Sequence, residues 1–151
     1  MSVQVFALDT SCMVAAVCAW HEHHRPAAAE IERRLTHGER MAIPAPALVE
    51  AFAVLTRLPA PHRLATGDAW ALLEANFVKP TQTARMATLS ADTYAHLLRD
   101  LARQSVAGGR VYDAVIGACA REAKAQTLLT FNRRHFDPPP VDVIVVEPST
   151  A

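Results

Sequence analysis

A chain of 151 residues, 51% apolar and 20% charged, has the composition of a folded globular protein with a sizeable core, which excludes a disordered or low-complexity chain. Lysine plus arginine equals aspartate plus glutamate at 15 each, so the formal net charge is zero. That excludes a protein that holds nucleic acid by bulk charge, and leaves any such contact to a local basic patch or to a metal bridging to phosphate.

From the N-terminus, Val3–Leu8 reads as a buried strand and ends in Asp9-Thr10-Ser11, residues that favour caps and turns. The pattern predicts a short helix over Cys12–Trp20, then a loop holding His21, Glu22, His23 and His24. Pro26 opens a helix to about His37, which Gly38 terminates. Met41–Ile43 is the second strand. Pro44-Ala45-Pro46 breaks it and starts a helix from Ala47 to about Arg57. Thr66 is placed to cap a helix over Asp68–Phe77, and Ala84–Thr88 is a weaker strand. Ser90 with Thr93 starts a helix to about Val106. After the break at Gly108-Gly109, Val111–Ala125 is helical, with Tyr112, Val115, Ile116 and Cys119 as its core stripe. Thr127–Thr130 is a strand, Phe131–Phe136 a loop, Pro138-Pro139-Pro140 a rigid connector and Val141–Val146 the last strand. Strands that are apolar throughout, alternating with helices, predict one α/β domain of three layers around a mainly parallel sheet. Its expected extent is 1–147, with a short loose tail over 148–151.

Cys12, Cys18 and Cys119 lie in apolar runs without CxxC spacing. They read as buried reduced thiols and fit a cytoplasmic protein. The apolar N-terminal stretch carries Asp9 in its middle and no preceding basic region, so neither a signal peptide nor a membrane span is expected.

The informative feature is where single acids fall. Asp9 is the only charged residue from Met1 to Trp20, Glu50 the only one from Met41 to Thr56, and Asp113 the only one between Arg110 and Arg121. A carboxylate in an apolar run is costly unless it is paired or bound to a metal, and no lysine or arginine lies within these runs. Asp9 follows the first strand, Glu50 sits on a helix entering the core, and Asp113 opens a helix. In parallel α/β folds such positions gather beyond the carboxyl ends of the strands. Converging carboxylates repel, and hard oxygen donors suit Mg²⁺ or Mn²⁺. Each acid also has a plain reading: Asp9 as a helix cap, Glu50 as the partner of a distant arginine, Asp113 as a first-turn acid favoured by the helix dipole. Along its helix, Glu50 shares a face with Pro46, Ala47, Ala53, Val54 and Arg57. Asp113 shares one with Ile116, Gly117 and Ala120, small residues that admit a neighbouring segment.

These residues resemble the PIN-domain ribonucleases, in particular toxins of the VapC type. Val5-Phe6-Ala7-Leu8-Asp9-Thr10-Ser11 resembles the family's opening motif, and Pro46-Ala47-Leu48-Val49-Glu50-Ala51 its second. Gly109-Arg110-Val111-Tyr112-Asp113-Ala114 is similar to the third. Leu128 to Phe136, with Thr130 and Asn132 inside it, is similar to the fourth. The motifs occur in family order over nearly the whole chain. The resemblance implies a PIN-like three-layer α/β/α domain and Mg²⁺- or Mn²⁺-dependent hydrolysis of RNA phosphodiesters, leaving a 5′-phosphate and a 3′-hydroxyl. It implies that Asp9, Glu50 and Asp113 hold the metal, that Asn132 stands where the family often has aspartate, and that Ser11 and Thr130 support the acids. The amide at Asn132 brings no charge and weakens any second metal site.

Arg110, Arg133 and Arg134 are candidate RNA contacts, with His135 beside them; a solvated loop is the plain alternative. The resemblance further implies an RNA substrate, with transfer RNA as the first candidate, a cognate antitoxin, a homodimer and no membrane. The apolar helices Cys12–Ala19 and Ala47–Leu55 offer the antitoxin a groove, or are simply core. His21, His23 and His24 read as solvated loop histidines, and Asp92 as a first-turn acid to watch as a substitute for the charge missing at Asn132. A degenerate PIN domain that binds RNA or protein without cutting is the alternative function. A phospho-relay receiver lacks its paired acids and later lysine here. A haloacid-dehalogenase-type phosphatase lacks its second aspartate, whose place is taken by Ser11.

Overall fold

The computed structural model describes residues 2–149, so Met1 and residues 150 and 151 of the expected tail lie outside the described residues. Five parallel strands form one sheet in the order β3-β2-β1-β4-β5. They are β1 (Val5–Leu8), β2 (Arg40–Pro44), β3 (Ala84–Ala87), β4 (Thr127–Leu129) and β5 (Ile144–Val146). Flanking them are α1 (Thr10–Val17), α2 (His24–Thr36), α3 (Ala45–Arg57), α4 (Thr66–Leu73, continued by a π-turn at Glu74–Val78), α5 (Ala91–Arg103) and α6 (Gly109–Glu122). The expected α/β/α architecture is therefore present.

The strand order explains where a site can form. The chain builds outward from β1 through β2 to β3, then returns to lay β4 on the other side of β1. The crevice between the ends of β1 and β4 is the point where the winding reverses, the usual ligand position in such sheets. Register fixes what meets there: Phe6 pairs with Thr127 and Leu8 with Leu129, and Asp9 N donates to Leu129 O at 3.0 Å. Asp9 and Thr130 thus leave the sheet side by side.

The central strands are buried on both faces. Phe6, Ala7, Leu8, Ile43, Leu128 and Leu129 are fully enclosed, which is why these segments are apolar without alternation. The edges differ: Met86 in β3 and Ile144 in β5 are exposed. Cys12, Cys18 and Cys119 are free and buried, and burial pushes the Cys119 thiol up to about 11. Among the described residues no helix is long and apolar enough to cross a membrane.

Several boundaries move, each for a local reason. The first helix starts at Thr10 because Asp9 caps it directly, accepting from Thr10 N. Ser90 caps α5 as expected, accepting from Thr93 N. Thr66 lies within the first turn of α4, whose cap position is Ala65. The first strand begins at Val5, leaving Val3 exposed, and the last begins at Ile144. Within the expected loop, Arg133–Phe136 winds into a 3-10 turn. Tyr112 is a correction: it is 66% exposed, because the first turn of α6 borders an open cleft and holds no buried residue, and the buried stripe begins only at Val115.

Gly117 is where the proline connector meets α6. A Cβ there would stand 2.9 Å from Pro140 Cγ, an atom held in a ring. Alanine would gain about 1 kcal/mol of helix preference over glycine, but overpacking a tight contact costs about 1–3 kcal/mol. Gly117→Ala is expected to lower the urea-unfolding free energy by roughly 1 kcal/mol. In a Pro140→Ala background, which removes Cγ, the same change is expected to be neutral or stabilising.

Candidate active site

Asp9 is the structural centre of the crevice and only 4% exposed. Its Oδ1 accepts from Thr10 N at 2.8 Å, while its Oδ2 accepts from Thr130 Oγ1 at 2.7 Å and from Ser11 Oγ at 3.2 Å. The hydroxyls are themselves fixed: Phe131 N donates to Ser11 Oγ at 3.0 Å and Asn132 N to Thr130 Oγ1 at 2.9 Å. Thr10 Oγ1 reaches across to donate to Ala47 O, tying α1 to the start of α3. The two short polar residues after β1 and the one after β4 therefore serve a single carboxylate. The cap reading of Asp9 holds, and the same side chain lines the cleft.

Asp9 opens into a cleft of about 1130 Å³ that Ser11, Glu50, Arg110, Asp113 and Asn132 also line. Glu50 reaches it from the exposed face of α3, with Pro46, Val49, Ala53, Val54 and Arg57 along the same wall. This is the face the helical spacing indicated, except that Ala47 is fully buried. The helix lies against the core, but Glu50 itself faces solvent, not the interior. Asp113 is half-buried, and it falls beyond the first turn of α6, which contains no acid, so the first-turn reading does not hold. Gly108 caps that helix at φ 65° and ψ −139°, a backbone conformation that L side chains rarely adopt. This glycine turns α6 so that Arg110, Tyr112 and Asp113 face the cleft.

Other residues are placed in ways the sequence did not disclose. His135 Nδ1 lies 3.5 Å from Asp113 Oδ2, brought back by the 3-10 turn. His21 and His23 line the cleft, and the His23 ring stacks on Phe131, so these are not the freely solvated loop histidines expected. Thr130 is fully enclosed beneath the floor. Arg133 and Arg134 line a separate groove beside β5, with Phe136, Pro139 and Ile144, and not the acidic cleft. Asp92 sits in the first turn of α5, is not part of the cleft lining and so supplies no charge in place of Asn132.

The electrostatics agree with the geometry. Burial raises the Asp9 pKa, partly offset by the hydrogen bonds from Thr130, Thr10 and Ser11. Burial also raises Glu50, and the charges of Asp9 and Asp113 push it the same way while Arg57 opposes. Asp113 is raised by burial, lowered by His135 and raised again by Asp9. Three carboxyl groups thus share one cleft, and the charge of Asp9 disfavours charge on the other two. Among the described residues neither Asp9 nor Glu50 has an ion-pair partner. Nor are any three His, Cys, Asp or Glu side chains there gathered tightly enough to hold an ion as they stand. In donor type and charge the set still fits a hard divalent cation, with Glu50 the flexible and exposed member.

A carboxyl group with a raised folded pKa binds more protons folded than unfolded. Its contribution to stability is full below its ordinary pKa and is lost as pH rises through the raised value. All three groups shift in that direction. From about pH 4 upward, metal-free protein is expected to lose stability relative to Asp9→Asn. The difference between their urea-unfolding free energies in chelator, followed toward neutral pH, isolates the effect. A difference that stays flat would contradict the raised pKa of Asp9.

A PIN domain family model matches residues 6–139. Ribonuclease VapC40 of Mycobacterium tuberculosis is 37% identical over 82% of this chain and 84% of its own length. Among solved structures, VapC20 of Mycobacterium tuberculosis, a sarcin-ricin loop cleaving toxin, superposes with a TM-score of 0.66 at 20% identity, covering 92% of this chain and 98% of that one. VapBC2 from Rickettsia felis, bound to a DNA fragment from its promoter, gives 0.66 at 19% identity over 97% and 100%. The match to the family model spans the end of β1, all three acids and Thr130, and with the identity to a curated ribonuclease it establishes that this chain belongs to the PIN-domain family of VapC ribonucleases.

Proposed function

We propose that the chain is a Mg²⁺- or Mn²⁺-dependent endoribonuclease and the toxin of a VapBC-type toxin–antitoxin pair. The observation that carries this reading is the set of three carboxyl groups, one just after β1 and the others on α3 and α6, that line one cleft and, among the described residues, lack a cationic partner for Asp9 and Glu50. The curated ribonuclease relative supports the RNA substrate and the VapBC neighbour supports the antitoxin. Residues 1–147 act as the nuclease unit in this reading.

Asp9 and Asp113 would hold the cation, with Glu50 as a third ligand or as partner of the attacking water. A bound divalent ion lowers the pKa of the attacking water and offsets charge on the phosphate. The chain's own residues do the rest. Thr130 and Ser11 hold the Asp9 carboxylate in one orientation by donating to it. Arg57 of α3 and Arg110 of α6, which both line the cleft, bind phosphate oxygens flanking the bond that is cut. His135 contacts Asp113 and limits its rotation. Asn132 lines the cleft as a neutral donor and acceptor, so one cation and not two fits this site. Attack in line with the 3′ oxygen releases a 3′-hydroxyl and leaves a 5′-phosphate. Arg133 and Arg134, on the groove beside β5, contact RNA more distant from the cut. Val49, 69% exposed in the cleft wall, gives an antitoxin segment an apolar anchor, and a second copy of the chain completes the assembly.

The test is RNA cleavage by purified, antitoxin-free protein with Mg²⁺ or Mn²⁺ and with chelator, using transfer RNA first. Cutting is expected only with the cation. It is expected to fall by roughly a thousandfold in Asp9→Asn or Asp113→Asn, since several kcal/mol of transition-state stabilisation is lost. Cutting in chelator, or full activity in both variants, sinks the proposal. RNA binding without cutting under any cation would move the function to a degenerate domain that only binds.

Thr130→Val removes the donor to Asp9 Oδ2 while keeping the shape. It is expected to raise the Asp9 pKa further and shift the acid limb of the pH–rate profile to higher pH. An unshifted limb would mean that Thr130 does not control that charge.

A further inference from the structure

Five aromatic rings run in a line from the surface into the cleft. Trp20 stacks on His62 with centroids 3.9 Å apart and planes within 18°. His21 follows, tilted, 5.7 Å from Trp20 and 5.6 Å from His23. His23 then stacks on Phe131 at 4.4 Å and 11°. The last ring is anchored at the centre of the site, because Phe131 N donates to Ser11 Oγ, which donates to Asp9 Oδ2. His21, His23 and Phe131 line the same cleft as the three acids.

The line is not core packing. Trp20 is 48% exposed, and the His23 side chain is 43% exposed. Large rings left in water with one face already stacked keep the other surfaces open to a planar ligand. His21 Nδ1 accepts from His23 N at 3.0 Å, which leaves its Nε2–H free to donate. The rings therefore combine flat apolar faces with a directed donor.

We propose that this ring line is a stacking platform for unpaired nucleobases of a single-stranded RNA segment next to the bond that is cut. The proposal rests on the ribonuclease reading and adds to it a base-binding subsite, made by rings of this chain, beside the bond that is cut. Bases in a duplex are already stacked on one another and offer no free face, whereas splayed bases stack on aromatic rings regardless of sequence. Stacking also suits a chain of zero net charge, whose affinity cannot come from phosphate contacts alone.

The chain has two tryptophans, so Trp70→Phe leaves Trp20 as the sole tryptophan reporter. In chelator, where nothing is cut, a single-stranded RNA hexamer is expected to quench Trp20 emission. An abasic strand of equal length and charge is not. In separate binding titrations, Trp20→Ala and His23→Ala are each expected to weaken hexamer binding by roughly tenfold, the loss typical of one stacked base. His23→Phe, which keeps a ring, is expected to restore it, which separates stacking from a folding defect. Equal quenching by the abasic strand, or parent affinity in both alanine variants, overturns the platform. The nuclease reading fails independently. A chain that stacks RNA but never cuts keeps the platform, whereas one that cuts while the alanine variants bind as the parent does loses the platform alone.

Discussion

The buried carboxylate of Asp9 is the constraint on which the surrounding structure depends. An ionised group with 4% exposure is tolerable only if its oxygens are satisfied, and here three donors converge on them. Those donors come from both sides of the crevice. The Thr10 amide and Ser11 hydroxyl belong to the start of α1, and the Thr130 hydroxyl to the end of β4. Satisfying one charge therefore locks together two segments that are about 120 residues apart in the chain. The same bonds set the first turn of α1 and the path of the chain into the Arg133–Phe136 turn. Burial still outweighs them, since the Asp9 pKa remains raised. The charge is held in place but not fully compensated, and what remains is what a cation would neutralise.

The parallel sheet turns that local arrangement into a cleft. Because β4 returns beside β1, the acid after β1 faces the segment after β4, and α3 and α6 close the sides. Glu50 and Asp113 do not need burial as deep as that of Asp9. Their role in the geometry is to bring negative charge to its mouth, and each is raised by its neighbours as well as by desolvation. The arginines of the cleft, Arg57 and Arg110, lie on the same two helices as these acids. The arginines and the acids of the cleft walls are thus positioned by the same pair of elements.

The fold and the acids were legible because they depend on local pattern. Unbroken apolar strands such as Phe6-Ala7-Leu8 and Leu128-Leu129 announce a sheet covered on both faces, and a lone acid inside such a run stands out as an exception. What was not legible depends on how distant turns bring side chains back. Periodicity placed Tyr112 in the core, but the first turn of α6 borders an open cleft, which no local signal marks. His135 meets Asp113 only because the segment after Asn132 winds into a 3-10 turn. Arg133 and Arg134 look like neighbours of Asn132 in sequence, yet that turn sends them to the groove beside β5. The histidines after Trp20 read as a solvated loop because Phe131, on which His23 stacks, lies far along the chain, as does His62, on which Trp20 stacks.

Zero net charge then limits how such a site can hold RNA. A nuclease with a large basic excess can gain affinity by releasing counterions along the whole backbone, and its grip falls steeply with salt. This chain has no excess to spend, and three of its acids face the cleft into which the strand must enter. Long-range attraction is therefore weak at the mouth, and affinity must come from contacts that act at short range. Two kinds are available in the cleft: arginines that would meet individual phosphates, and rings that would meet bases. Both need the strand to be open, because stacking requires a free base and bringing phosphates into a cleft requires a flexible backbone. The same arrangement that buries Asp9 beside a ring-lined cleft would thus favour an unpaired strand over duplex.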